Sequence, residues 1–506
     1  MPTRSASLES ECTSLSIQLS GLGFTDSFKT DRALEQMHAL LSTAPASQLC
    51  ALLDGRVQLG LMPRQPAYGT GAGHTRLSHT LGAIARAAVA VDVLRQKNAP
   101  ITERDAFALY VAALLHDSAH LPVSHASERA LLQLPRITGT PLRHEERAAL
   151  LFMETGETPW GELRGLASEM GQTLQASTRN SDVSEIASFL LRSSTGTPEE
   201  RPDLLGIYPL LAQILSSPID VDRIDYLARD AAALEYGPVH RVRDGLLRAL
   251  LAFEPFDAGK QFALSSGSRW ELAVDEDGVP WAAGVLVSRV LMYRFRYFST
   301  STRALEGSFT KLVATLAEAG RVAEIDRAYS LSDEEFLTDF LPKLIAEGPD
   351  RGFDRATLQA RLDAILNGSE LFSYCCSVNV RDIASASQRR HVHDGLRSHR
   401  FARTIEASLT ARLGPNRSVA SQAGETPVLI DFLRLKADKG SPLWVYEHGK
   451  VAFTPFDEQI ARSSVHALAE IERIDLYIDV RRHAALAQEM KRAMRELLGA
   501  EPIEVK

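Results

Sequence analysis

Cysteine is scarce: Cys12, Cys50, Cys375 and Cys376 are the only four in 506 residues, and their spacing makes no metal knuckle. A chain this long needs no disulfide framework, so the scarcity points to a reducing cytoplasm. Positive charge is not in excess either. Lys plus Arg number 56 against 64 Asp plus Glu, a formal net charge of −8, which argues against a generic grip on a polyanion, so nucleic acid is not expected as a partner. No apolar run approaches the roughly 18 to 20 residues of a membrane span, and no membrane is expected. The opening MPTRSASLESECTSLS has no apolar core of signal-peptide length and reads as a frayed polar leader. Internal repeats are missing as well. What remains is an ordinary globular composition, 45% hydrophobic and 24% charged, which excludes disorder throughout.

Helical periodicity dominates the first two thirds. In RLSHTLGAIARAAVAVDVL, Leu77, Leu81, Ile84, Ala88, Val91 and Leu94 mark one apolar face. Thr102 and Asp105 form a plausible capping pair for a second helix, which turns apolar just before His116. Turn-rich breaks such as RITGTP and SSTGTPEERPD separate further helical pieces between about 130 and 200. After residue 320, TPVLIDFLRL, PLWVYEHGKVAFTPF and RIDLYIDV alternate as strands do, and HAALAQEMKRAMRELL closes as an amphipathic helix. The pattern predicts a helical catalytic body followed by a smaller mixed α/β tail, with GPNRSVASQAGETP at 414–427 the best linker candidate.

Four residues are of metal-ligand type: His79 in HTRLSH, the adjacent His116 and Asp117 in ALLHDSAHLPVSH, and Asp222 in IDVDRIDYLARD. Imidazole nitrogen suits first-row transition metals and carboxylate oxygen suits harder cations, so such a set holds a divalent ion with positions left open for water and phosphate. A neighbouring His and Asp at the end of an apolar helix are costly to bury without a partner. A metal is one partner; a hydrogen-bonded core histidine beside a helix-capping aspartate is the blander reading. Histidines also crowd this part of the chain: His74, His79, His116, His120, His125 and His144 are six of the 14, enough to protonate a leaving oxygen and hold phosphate. Glu128, three residues after His125, is placed to orient one of these rings or to be a solvated helix acid. If IDVDRIDYLARD is helical, Asp222, Tyr226 and Asp230 share one stripe with Arg223 and Arg229 flanking, a face suited to a nucleotide or one laced with surface ion pairs.

In order along the chain, GAGHTRLSHTLG, LLHDSAHLPVSHASE, HEE and IDVDRIDYLARD, and more weakly SRVLMYRFRYFSTSTRALE, resemble the HD-domain deoxynucleoside triphosphate triphosphohydrolases. That family includes bacterial dGTPases and the vertebrate dNTPase carrying a sterile alpha motif. The likeness covers about residues 50 to 310. It implies a mainly α HD-domain helical bundle at 46–330, preceded by a divergent leader with helices at 1–45 and followed by a mixed α/β region at 331–506. It further implies that His79, His116, Asp117 and Asp222 ligate one divalent ion (Mn, Fe, Mg, Co or Zn), while Arg76 and Arg223 hold phosphates. His120, His125 and His144 would line the triphosphate, with His125 or His144, backed by Glu128, as the proton donor. Gln58, Tyr226 and Asp230 match sugar-contacting positions, and Arg289 and Tyr297 match phosphate-side and sugar-side ones. The implied reaction is metal-dependent hydrolysis of a dNTP to deoxynucleoside and inorganic triphosphate, by a homo-oligomer, with a nucleotide activator as a further partner and nucleotide-pool control or antiviral depletion as its use.

The sequence also departs from the family pattern. LLDGRVQLG keeps only the QLG of a longer element, the spacing from Gln58 to Arg76 is long, and Ser299 stands where histidine is frequent. An Asp-Pro-Ile-His-Gly-like element of the activating nucleotide site is missing, so activation by that route is not expected. The competing functions are an HD phosphohydrolase for another nucleotide or a single-stranded nucleic-acid phosphoester, and a catalytically silent nucleotide sensor. The basic QRRHVHDGLRSHRFAR reads as a solvated helix face or subunit contact, or else as a nucleotide- or nucleic-acid-contacting surface, and Cys375 and Cys376 read as packed strand residues.

Overall fold

A computed structural model describes residues 31–65, 73–132, 144–154, 158–174, 182–193, 206–234, 263–265, 270–348, 354–395, 399–412, 427–435, 444–447, 450–455, 471–481 and 483–503. The linker candidate at 414–427 and the breaks RITGTP and SSTGTPEERPD fall almost wholly outside them.

The capping pair holds. Thr102 accepts from the Asp105 N–H at 3.2 Å and the Asp105 carboxylate accepts from the Thr102 N–H at 3.1 Å, which starts the Glu103–Leu115 helix. Every residue of that helix from Asp105 onward is buried, against the helices Arg32–Leu41, Arg76–Gln96 and Val183–Ser193. In the Arg76–Gln96 helix the expected apolar face is buried, and so are Ala83, Ala85, Ala87 and Ala90 around the rest of it. Small side chains on those other faces let neighbours pack all round, so this helix is central rather than amphipathic. It is also long and apolar enough to cross a membrane, which a search for an unbroken apolar run misses because Arg86 interrupts it; most of it lies buried inside the protein.

A second apolar core gathers around the Thr300–Leu316 helix and continues through Leu341–Ala346 and Arg355–Leu366. Strands then join the helices, as the alternating stretches predict. Strands β3 (Phe372–Asn379), β7 (Ile471–Asp479) and β4 (Val428–Leu435) form an antiparallel sheet in that order, covered by the helices His399–Ala411 and His483–Leu498. Cys375 and Cys376 are buried in β3. The protein is thus mainly helical with a smaller mixed α/β C-terminal region.

The helical body is not purely helical. Strands β1 (Ala263–Ser265) and β2 (Glu271–Asp275) pair antiparallel, β2 pairs parallel with β5 (Trp444–Glu447), and β5 pairs antiparallel with β6 (Lys450–Pro455). The sequence reading found few strands here because Leu272, Ala273 and Val274 are all buried, which erases the alternation that marks a half-exposed strand.

Candidate metal and phosphate site

Three helices bring the ligand-type residues together. His79 lies one turn into the Arg76–Gln96 helix, whose N-cap Thr75 accepts from the Ser78 N–H at 3.4 Å. His116 and Asp117 follow directly on the buried Glu103–Leu115 helix. Asp222 sits in the first turn of the Val221–Leu234 helix, where Asp220 fixes the start by accepting from the N–H groups of Ser217 (2.9 Å) and Arg223 (2.7 Å).

The donor atoms converge. His79 Nε2 is 3.1 Å from Asp222 Oδ1, 3.3 Å from His116 Nε2 and 3.7 Å from Asp117 Oδ2. His116 Nε2 is 3.6 Å from Asp117 Oδ1 and 3.7 Å from Asp222 Oδ1. Both Nδ1 atoms point outward, His116 to the Ala113 carbonyl at 2.7 Å and His79 to Asp225 Oδ2 at 3.0 Å. Facing an acceptor, each Nδ1 carries the ring proton when the ring is neutral, which leaves two Nε2 lone pairs and two carboxylates aimed at one another. A cation resolves that arrangement. Ligands held at about 2.1 Å lie roughly 3.0 to 3.5 Å apart, so His79, His116 and Asp222 are grouped as one small divalent ion requires, while Asp117 stands at their edge, paired with Arg76. Both readings of His116 thus apply: one nitrogen is a satisfied core group and the other belongs to the cluster.

In the metal-free protein protons take the cation's part. Burial lowers the His79 pKa, but Asp222 and Asp225 outweigh it and raise it to about 10. Burial would raise Asp117, yet Arg76, His116 and His120 hold it well below the usual carboxylate range. Arg76 also bonds Asp117 directly and donates from Nε to Ser124 Oγ at 3.0 Å.

Beside this cluster, Glu128 gathers three imidazoles. Its Oε1 is 2.9 Å from His120 Nδ1 and 3.0 Å from His144 Nδ1, and its Oε2 is 3.2 Å from His125 Nδ1. The His120 and His144 rings stack at 3.5 Å between centroids and turn their Nε2 atoms toward Asp117 Oδ1, at 3.3 and 3.7 Å. His125 is 66% exposed along its side chain and free to meet a ligand. Of the two arginines flanking the nucleotide stripe, Arg229 is committed to Asp225 at 2.6 Å. Arg223 Nη1, by contrast, is buried without a hydrogen-bond partner among the described residues.

The remaining expected residues line a second side. Tyr297, on a π-helical turn Tyr293–Tyr297, donates to Asp230 Oδ2, while His74 Nε2 stands 3.0 Å from Asp230 Oδ1. Gln58 is tied to the same place, because its N–H bonds the His74 carbonyl at 3.0 Å; its Oε1 is buried and unpartnered among the described residues. Tyr226 bonds Arg289, and burial, with Tyr293, pushes its hydroxyl far above the usual range, so it stays neutral. Asp225 and Asp220 carry no expectation from the sequence, and His74, expected only as one of the crowded histidines, stands on the side of Asp230. Asp225 was within reach of the sequence reading, three residues after Asp222, but an i, i+4, i+8 stripe passes it by.

Two imidazoles and two carboxylates on three helices, next to a histidine shelf, define a class before they define a reaction. Residues 76–230, which include all four ligand-type residues, match the HD domain; the chain carries this metal-dependent phosphohydrolase domain. Among curated proteins the chain is similar to the uncharacterized protein YwfO of Bacillus subtilis, 25% identical over 277 residues, which cover 54% of this chain and 49% of that one. It is also similar to the human deoxynucleoside triphosphate triphosphohydrolase SAMHD1, 30% identical over 168 residues, 32% of this chain and 26% of that one. The matched stretches span about half or less of these relatives. Two solved structures share the fold: a phosphohydrolase from Bacteroides thetaiotaomicron (TM-score 0.54, 19% identity, covering 85% of this chain and 93% of that one), and a hypothetical protein from Aquifex aeolicus (TM-score 0.55, 18% identity, covering 92% and 95%).

Proposed function

We propose that this protein hydrolyses deoxynucleoside triphosphates to deoxynucleoside and inorganic triphosphate. The observation that carries the reading is the Glu128 cluster: three imidazoles gathered around one carboxylate beside the ligand-type residues, with Arg76 and Arg223 Nη1, unpartnered among the described residues, at hand. A monoester needs fewer cations than that. His79, His116, Asp117 and Asp222 would hold a divalent ion, which would supply polarisation of a phosphoryl oxygen and a lowered pKa for water.

The chain's own residues do the rest. Water attacks the α-phosphorus, the bond to the sugar O5′ breaks, and O5′ takes a proton from His125 or His144, each held through Nδ1 by Glu128. Arg76 and Arg223 neutralise the charge that builds on the triphosphate, and His120 lines it. Asp230, Tyr297 and Gln58 offer bonding groups to the sugar, and Tyr226 packs beside it. The choice of base and metal, a homo-oligomeric state and a nucleotide activator belong to the same proposal; the likeness to a deoxynucleoside triphosphate triphosphohydrolase supports only the substrate class.

His116→Ala and Asp117→Ala are expected to abolish triphosphate release from all four dNTPs in Mn, Mg, Fe and Co. Chromatography of the products is the check. Undiminished tripolyphosphate from the variants refutes the assignment, orthophosphate from the wild type transfers it to another phosphoester, and dNTP binding without any product makes the protein a sensor.

A further inference from the structure

Asp333 lies outside the HD stretch, in the short Asp333–Glu335 helix, yet its buried carboxylate ties together two distant backbone segments. Oδ2 accepts from the Val57 N–H at 2.9 Å and Oδ1 accepts from the Val123 N–H at 2.7 Å. Each segment adjoins one group of the candidate site residues. Val57 precedes Gln58 and pairs across an isolated antiparallel bridge with Thr75, the residue between His74 and Arg76. Val123 precedes Ser124, which bonds Arg76, and His125, which opens the helix carrying Glu128.

The turn at Val123 needs such a hold. Val123 and Ser124 have φ of 60° and 53°, in the left-handed region that a β-branched residue in particular avoids. Residues persist there only where their surroundings over-determine them, and such places cluster at ligand clamps. Arg56 grips the stretch that leads into this turn. It is fully buried, and among the described residues its guanidinium donates to backbone carbonyls: Ser118 (3.2 Å), His120 (2.8 Å), Leu331 (3.1 Å from Nη2) and Tyr329. Asp333 is the acid whose charge offsets it most. The docking is close as well, because the Asp333 N–H bonds the Gly55 carbonyl at 3.0 Å, and a Cβ on Gly55 would lie 2.8 Å from Ser332 Cβ.

We propose that Asp333 and Arg56 are positioning residues for the phosphate pocket: together they lock the 118–124 turn against the Val57–Gln58 segment. A stretch of chain beyond the HD domain thereby sets the spacing between the phosphate-facing imidazoles and the sugar-side glutamine. This inference rests on the reading that the pocket takes a triphosphate. Neither residue touches substrate; both act through backbone they hold. The arrangement also explains why a pair of residues with no chemistry of their own is buried next to the site at the cost of desolvating two charges.

The test compares full-length wild type with Asp333→Asn and Arg56→Lys in Mn²⁺, with the exposed Glu334→Gln as control. Asparagine keeps the volume and one acceptor but turns an NH₂ toward the second amide, and lysine keeps the charge but cannot fork. Amide hydrogen exchange is expected to accelerate at least tenfold at Val57 or Val123 in both variants, and tripolyphosphate to bind at least tenfold more weakly, while Glu334→Gln matches wild type. Unchanged exchange at both amides in folded Asp333→Asn overturns the clamp. Faster exchange with tripolyphosphate affinity within twofold of wild type overturns the positioning role. A wild type that binds no tripolyphosphate refutes the triphosphate reading instead, and exchange then decides the clamp by itself. If Asp333→Asn fails to fold, Arg56→Lys carries the same comparison.

Discussion

His79 presents one ring nitrogen to Asp222 and the other to Asp225, so the proposed ligand role of His79 depends on a residue outside the candidate set. Asp225 fixes the tautomer and ring angle, and Arg86 and Arg229 hold Asp225 in turn, at 3.3 and 2.6 Å. Asp225→Ala is therefore expected to weaken metal binding by about 10- to 100-fold without touching the ligand set; calorimetric titration of the chelator-stripped protein checks it, and an unaltered Kd contradicts it. The stacked pair His120 and His144 gives a second expectation. For His144 burial lowers the pKa, but Glu145 and Glu128 prevail and raise it to about 9, whereas for His120 burial is joined by Arg76 and His144 and pushes it down to about 4. At neutral pH the metal-free protein thus carries one cationic and one neutral ring. Folded His144 holds its proton more tightly than an unfolded histidine near 6.5, so its contribution to stability is complete below about pH 6.5 and is lost as pH rises through about 9. Thermal unfolding in chelator should show that decline in wild type and a flatter profile in His144→Ala. At this scale the sequence made the ligand candidates legible, because residue type itself singles out His79, His116, Asp117 and Asp222. It left Asp225, Asp333 and Arg56 in the dark, because their work is to hold a ring nitrogen or a backbone group, which no residue type announces.

Between helices, the decisive feature is an absent side chain. Where the Arg76–Gln96 helix crosses Val221–Leu234, a Cβ on Gly82 would stand 2.0 Å from Asp225 Oδ1 and 2.3 Å from Arg229 Nη2. In an exposed helix, exchanging glycine for alanine gains about 1 kcal/mol. Here the overpacking cost of about 1 to 3 kcal/mol opposes that gain and falls on the carboxylate that orients His79. Gly82→Ala should therefore lower the unfolding temperature and weaken metal binding together; a stabilised variant with full metal affinity would show that the crossing tolerates the methyl. Helix caps and apolar faces were readable because they are local, as Thr102 with Asp105 illustrates. Strand β2 was not, since its parallel partner β5 lies some 170 residues onward in sequence and both of its faces are covered.

Across the whole molecule, charged groups fasten the C-terminal region to the helical body. Arg303 of the Thr300–Leu316 helix forks onto Asp431 of β4 and donates to Glu306 at 2.7 Å, and Glu306 also accepts from Arg129, the neighbour of Glu128. Lys311, two turns further along, bonds Glu406 at 3.0 Å and the Val428 carbonyl at 2.6 Å. A chain of ion pairs thus runs from the tail sheet to the helix that holds the histidine cluster, and the sequence hid it because its members are scattered among ordinary surface-type residues. Removing one partner of such a pair strands the other in a buried place and costs about 3 to 5 kcal/mol, whereas replacing both with apolar groups of similar volume is often close to neutral. Asp431→Ala should accordingly lose most of that amount in urea unfolding, and Arg303→Met with Asp431→Leu should lose far less. The double variant separates two roles for the junction. If it keeps stability but weakens tripolyphosphate binding, the ion pairs transmit the position of the tail sheet to Arg129 and Glu128. If it keeps both, they only hold the two regions together, and a double variant as unstable as Asp431→Ala would mean that the charges themselves, rather than the burial of one stranded arginine, are what the fold requires.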